Sequence, residues 1–220
     1  MKILILGTPR SGSTSLVKFI DSHIILSNYK MFIEPFNQTL YSNKKDDKDR
    51  DTISYLTKVD NILVKNLFLL GHEEYPVKSF NNIYEYLEWC YSYFDKIIIL
   101  DRKDKVAQSE SFTINETMFR EKGLNWHTQK IYDLDKIDKS YLNEMIDRYT
   151  KSSEILKEIS INNNFPIFYY EDIFLDHNID VICNLLGYLG LEFNTKNYNE
   201  FISSNTRRVR IEKLLDKKII

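Results

Sequence analysis

Cysteine is almost missing from this chain. Cys90 and Cys183 are the only two in 220 residues and neither belongs to a C-x-x-C pair, which excludes a disulfide framework and a cysteine-built zinc site. The four histidines, His23, His72, His127 and His177, show no H-x-x-x-H or H-E-x-x-H spacing, so no metal site is expected from them. No apolar window approaches 18 residues, and the run at Met1–Gly7 is too short for a secretory segment; a soluble, cytoplasmic protein without a membrane span is the expectation. An excess of either charge is also lacking. Lys and Arg total 30 against 32 Asp and Glu, a net of −2, so no overall positive field draws a polyanion and a nucleic-acid partner is not expected. Glycine and proline number only six and four, which excludes collagen-like or low-complexity structure.

What the chain does have is apolar content, at 43%, with 15 Tyr and 13 Phe. A chain this long buries about 70% of its unfolded surface, and one domain spanning 1–220 is expected. Short apolar runs at Lys2–Leu6, Ile62–Val64, Lys96–Leu100 and Pro166–Tyr170 read as strands. Between them, helical periodicity runs from Gly12 to about Ile25 and over about 52–60, 82–94, 104–116, 140–162 and 178–189. Alternation of this kind predicts an α/β protein whose central, mostly parallel sheet is flanked by helices in three layers. The mixed-sign block Asn43–Asp51 reads as a solvated loop, and 117–138 as a long connection of the sort that forms a lid or substrate wall.

Chemistry concentrates between the first strand and the first helix, in Gly7-Thr-Pro-Arg-Ser-Gly-Ser-Thr14. Its glycines allow a tight turn, so backbone N–H groups and the positive end of a helix dipole converge on an anion. The spacing G-x-x-x-x-G is that of a nucleotide P-loop, but Ser13 stands where Gly-Lys-Ser/Thr requires lysine, and the loop's cation is Arg10, inside the turn. The alternative for Ser13 and Thr14 is simple helix capping.

The string at 8–16 resembles the loop of sulfotransferases that use 3′-phosphoadenosine 5′-phosphosulfate (PAPS), in which a Pro-Arg/Lys-Ser/Thr-Gly-Ser/Thr-Ser/Thr turn wraps the 5′-phosphosulfate. The resemblance implies PAPS as donor, adenosine 3′,5′-bisphosphate (PAP) as product and no metal, with Pro9, Arg10, Ser11, Gly12, Ser13, Thr14 and Ser15 holding the donor. The stretch 96–111 resembles the family's strand-to-helix element, in which an arginine and a serine bind the 3′-phosphate. Arg102 is then the cation. The family's separation of eight falls between Ser109 and Ser111, leaving both open. Phe32-Ile-Glu-Pro-Phe36 looks like a segment of carbohydrate sulfotransferases that supplies the base, which makes Glu34 the candidate, its flanking Phe32, Ile33 and Phe36 excluding water; a solvated carboxylate before a proline turn is the other reading. Lys65 is expected at the carboxyl edge of a parallel strand, where it would stabilise charge on the bridging oxygen. Tyr170-Glu-Asp-Ile173 resembles a segment common in the family after its late strand and is read as a fold marker; the other reading is that Glu171 and Asp172 simply start the next helix. Arg207 and Arg208 lie in a basic cluster that would bind the 3′-phosphate or an anionic acceptor.

The implied reaction is in-line sulfuryl transfer to a hydroxyl, with a small molecule or glycan as acceptor selected by 37–60 and 112–138. Two rivals accompany it. A P-loop kinase or NTPase would use Asp101, at the end of an apolar strand, to hold magnesium. A non-catalytic nucleotide- or glycan-binding module would keep the fold without the chemistry.

Overall fold

Parallel strands make the frame that carries the loop. The computed structural model describes residues 1–24, 29–35, 48–71, 80–122 and 138–204. Strands β1 (Lys2–Gly7), β2 (Lys30–Ile33), β3 (Ile62–Leu67), β4 (Lys96–Asp101) and β5 (Ile167–Tyr169) form one sheet in the order β2-β3-β1-β4-β5, and every neighbouring pair is parallel. Helices α1 (Ser13–Asp21), α2 (Lys48–Thr57), α3 (Ile83–Tyr93), α4 (Lys105–Lys122), α5 (Lys139–Asn163) and α6 (Ile179–Leu189) follow the chain order around it, and residues 195–204 add a seventh, α7.

The central strands are apolar at successive positions because both faces of the sheet are covered. Ile3 and Ile5 of β1 pack with Leu16, Val17 and Ile20 of α1 and with Leu185 and Leu186 of α6. The alternate residues Leu4 and Leu6 face Ile83, Leu87 and Cys90 of α3 and Leu156 and Ile159 of α5. The period of two along β1 thus divides the core into two apolar layers, one on each side of the sheet. Helix ends follow local chemistry: Asn82, Asp138 and Asn178 accept from first-turn amides, and Gly190 closes α6 in the left-handed region.

Several boundaries differ from the sequence reading. β2 is an additional strand; its first two residues are exposed at the sheet edge, so it shows no continuous apolar run. β3 extends through Lys65 and Asn66, which places Lys65 within a buried strand and not at its edge. Each of these two polar side chains finds a partner there, Asn66 donating to the Tyr86 hydroxyl at 2.9 Å while its Oδ1 has none among the described residues. α1 stops at Asp21. α2 begins at Lys48, so the last four residues of the charged block 43–51 are helical, and α4 continues to Lys122. Glu171–Leu175 forms a π-helical turn instead of starting an ordinary helix. α7 was not anticipated. Its Asn194 caps Lys196 and Asn197, and its Phe201 packs 4.4 Å from the Phe19 ring. Among the described residues no helix is long and apolar enough to cross a membrane.

The two thiols differ in environment. Cys90 is buried, and desolvation pushes its thiol well above the ordinary range, whereas Cys183 is exposed. Alkylation at neutral pH is expected to modify Cys183 promptly and Cys90 only as fast as the core opens, which peptide mapping over time would read.

Candidate functional site

Gly7, the last residue of β1, lies in register with Leu67 of β3 and Leu100 of β4, so three strands finish at one level and the chain leaves β1 into a shared crevice. The sheet order changes direction around β1, and open parallel sheets bind ligands at such a point. A side chain at Gly7 would meet the Leu100 carbonyl at 3.0 Å. The loop then turns twice through left-handed conformations, at Arg10 (φ 63°) and Gly12 (φ 79°). For arginine this costs about 1–2 kcal/mol, strain of the kind that gathers at binding sites. Ser11 stabilises the turn by donating both its amide and its hydroxyl to the Thr8 carbonyl, at 3.3 and 2.6 Å. Gly12 is the N-cap of α1; no side chain caps that end, and no acidic residue lies in the first turn. No acidic residue of the helix's own first turn therefore neutralises the dipole's positive end, which faces the crevice.

On the β3 side, the edge strand brings Ile33 into register with Lys65, and the Glu34 amide donates to the Lys65 carbonyl at 2.8 Å. Glu34 itself is left-handed, at φ 52°. The Lys65 ammonium, 2% exposed, donates to the Thr14 hydroxyl at 3.0 Å and forms an ion pair with the Glu34 carboxylate, which is 16% exposed. The structure thus joins three residues that the sequence indicated separately, and Glu34 is a half-buried ion-pair partner of Lys65 rather than a fully solvated carboxylate.

Arg102 follows β4 and is buried, its guanidinium carbon 4.5 Å from the centre of the Tyr170 ring. Its Nε lies 3.9 Å from Glu171 and has no hydrogen-bond partner among the described residues. Ser109, on α4, is fully buried and its hydroxyl likewise has none. Ser111 behaves differently: its hydroxyl accepts from Arg10 Nε at 3.0 Å. Glu171 accepts from the Lys103 and Asp104 amides at 2.9 and 3.0 Å, fixing the β4–α4 turn that presents Arg102. Arg207 and Arg208, like Phe36, lie outside the described residues.

Lys105, Gln108 and Ser153 are site neighbours that the sequence reading did not place, and they surround Asp101, which it offered only as the magnesium ligand of a kinase. Asp101 is 1% exposed; one carboxylate oxygen accepts from Thr8 at 3.1 Å and from Lys105 at 2.7 Å, and the other accepts from Ser153. Gln108 donates to the Thr8 hydroxyl and to the Pro9 carbonyl, both at 2.7 Å. For Lys105 the advance signal was its i,i+4 spacing from Asp101. A surface groove of about 850 Å³ on α7, lined by Thr195, Lys196, Asn199, Glu200, Ser203 and Ser204, contains none of these residues.

The fold places the chain beside a solved sulfotransferase. Mouse sulfotransferase SULT7A1, in its complex with PAP, superposes with a TM-score of 0.56 over 93% of this chain at 13% identity. The all-parallel α/β sheet with flanking helices is therefore a sulfotransferase fold. This chain spans 63% of that enzyme's length. No family model matches the sequence, and no curated protein resembles it closely enough to be matched.

Proposed function

We propose that the protein transfers a sulfuryl group from PAPS to an acceptor hydroxyl, a carbohydrate being the favoured class. The observation that carries this reading is the convergence, around one uncapped helix end, of an arginine-bearing loop, the Lys65–Glu34 pair and two buried donors, Arg102 Nε and Ser109 Oγ, that lack acceptors among the described residues. A phosphate would supply those acceptors, and a guanidinium with a hydroxyl is a favourable set for it. Ser109 is accordingly the proposed 3′-phosphate ligand with Arg102, while Ser111 holds Arg10 toward the loop. Arg207 and Arg208 are further candidates for that anion.

PAPS supplies an activated sulfur whose S–O bond to the 5′-phosphate breaks as the acceptor oxygen bonds to sulfur, releasing PAP. Glu34 takes the hydroxyl proton. Pro9 to Ser15 would position the phosphosulfate end, with Arg10, Ser13 and Thr14 holding it and offsetting charge on the departing phosphate. Lys65, joined to Thr14 and Glu34, both orients the base and offsets charge on the departing oxygen. The kinase reading fares worse, since Ser13 replaces its lysine and both oxygens of Asp101 are already engaged by Lys105, Thr8 and Ser153.

The test is turnover. Labelled PAPS with a chelator, screened over sugars, phenols and peptides, is expected to give sulfated product. Magnesium-dependent phosphoryl transfer from ATP, with none from PAPS, would contradict the proposal; PAP binding without any transfer would leave only a binding module. Arg102→Ala is expected to weaken PAP by about 10–100-fold, since hydrogen bonds to charged groups contribute about 1.5–3 kcal/mol, and to leave 5′-AMP binding nearly unchanged in the same calorimetric titrations.

A further inference from the structure

We infer that Asp101 is a positioning residue that couples the two phosphate-binding halves of the site, so that the nucleotide's two phosphate ends are held as one unit. The inference rests on the PAPS reading above and deepens it. One nearly inaccessible carboxylate ties together four parts of the chain. It accepts from Thr8, the first loop residue; from Lys105, at the start of α4; and from Ser153, in the middle of α5; and it is itself the last residue of β4. Lys105 spends a second hydrogen bond on the Arg102 carbonyl, 2.5 Å away, and so fixes the main chain that carries the proposed 3′-phosphate cation. Gln108, immediately before Ser109, closes the circuit by donating to Thr8 and Pro9. Thr8 is the loop residue on which the Asp101 and Gln108 branches of this network meet, with Pro9 and Arg10 adding separate links to Gln108 and Ser111.

Charge explains why the arrangement includes lysine. A bare carboxylate behind a polyanion site would repel the ligand, and an isolated buried charge is costly. Lys105 cancels it locally, and burial draws the lysine's pKa downward even as Asp101 opposes that shift. What remains is a neutral, hydrogen-bonded brace whose effect on the ligand is geometric. Such networks are worth more than the sum of their separate bonds.

The experiment is calorimetric titration of wild type, Asp101→Asn, Thr8→Val and the double variant with PAP, 5′-AMP and 3′-AMP, well below each variant's unfolding temperature so that lost stability does not enter. Asp101→Asn is expected to weaken PAP by about tenfold and both monophosphates measurably, with the double variant no weaker than Asp101→Asn alone. Thr8→Val removes one hydroxyl of the loop, yet is expected to weaken 3′-AMP as well; this arm carries the test if Asp101→Asn does not fold. Asp101→Asn binding PAP within twofold of wild type, losses that simply add in the double variant, or a Thr8→Val effect confined to 5′-AMP would overturn the inference while leaving the PAPS reading intact. Wild-type protein that ignores PAP would overturn the PAPS reading itself, and the coupling with it.

Discussion

Glu34→Gln is expected to lower kcat by about 10²–10⁴, the usual contribution of a general base, with PAP affinity unchanged or slightly improved. The carboxamide has nearly the volume of the carboxylate and its oxygen still accepts from Lys65, so the residues meeting at Thr14 keep their places. What disappears is the capacity to take a proton. Electrostatics sets the sign of the binding effect: a negative charge beside an anion site is removed, and Lys65, 2% exposed, is left to the ligand as its counter-charge. Rapid-quench turnover with PAPS, paired with PAP titration, separates the two effects. Unchanged kcat would take Glu34 out of the mechanism.

Gly12→Ala is expected to destabilise the protein by about 2–5 kcal/mol and to weaken PAP by about 100-fold or more. Left-handed backbone costs a residue with a Cβ about 1–2 kcal/mol, and overpacking a dense site costs about 1–3 more. At Gly12 both apply, since φ is 79° and an added Cβ would lie 2.6 Å from Phe174 Cε2 and 3.0 Å from Tyr170 Cδ2. Neither ring can retreat easily. They stack on each other at 5.0 Å, and Phe174 packs on Phe201 of α7. Tyr170 also carries the Arg102 guanidinium on its face, so a displaced ring would disturb the proposed 3′-phosphate pocket together with the loop. Denaturant unfolding gives the stability term and titration the binding term. A variant that keeps wild-type PAP affinity would show that the turn at Gly12 does not shape the site.

The loop was legible because its chemistry is contiguous: strand, turn, cation and helix start occupy sixteen residues in succession. Glu34 and Lys65 were each visible from local pattern, but their pairing was not, since it depends on β2, an edge strand whose exposed Lys30 and Met31 conceal it. Spacing alone did not choose between Ser109 and Ser111; the difference emerged only when Arg10, about a hundred residues earlier, was found bonded to Ser111. Asp101 was read only as the strand-end carboxylate with which a kinase would hold magnesium. Its partners Thr8 and Ser153 lie 93 and 52 residues away, and long-range polar contacts of this kind leave no periodicity to read. The helix at 195–204 escaped for a related reason, its polar sequence being held to the core chiefly through Phe201.

The central claim is that the turn after β1 grips the phosphosulfate end of a nucleotide without a divalent ion. Titration with PAP in excess EDTA, repeated with Gly12→Ala and Arg102→Ala, tests it most directly. Saturable one-to-one binding that survives the chelator and weakens in both variants is the predicted result; binding that requires magnesium, or that persists undiminished in both variants, would contradict it.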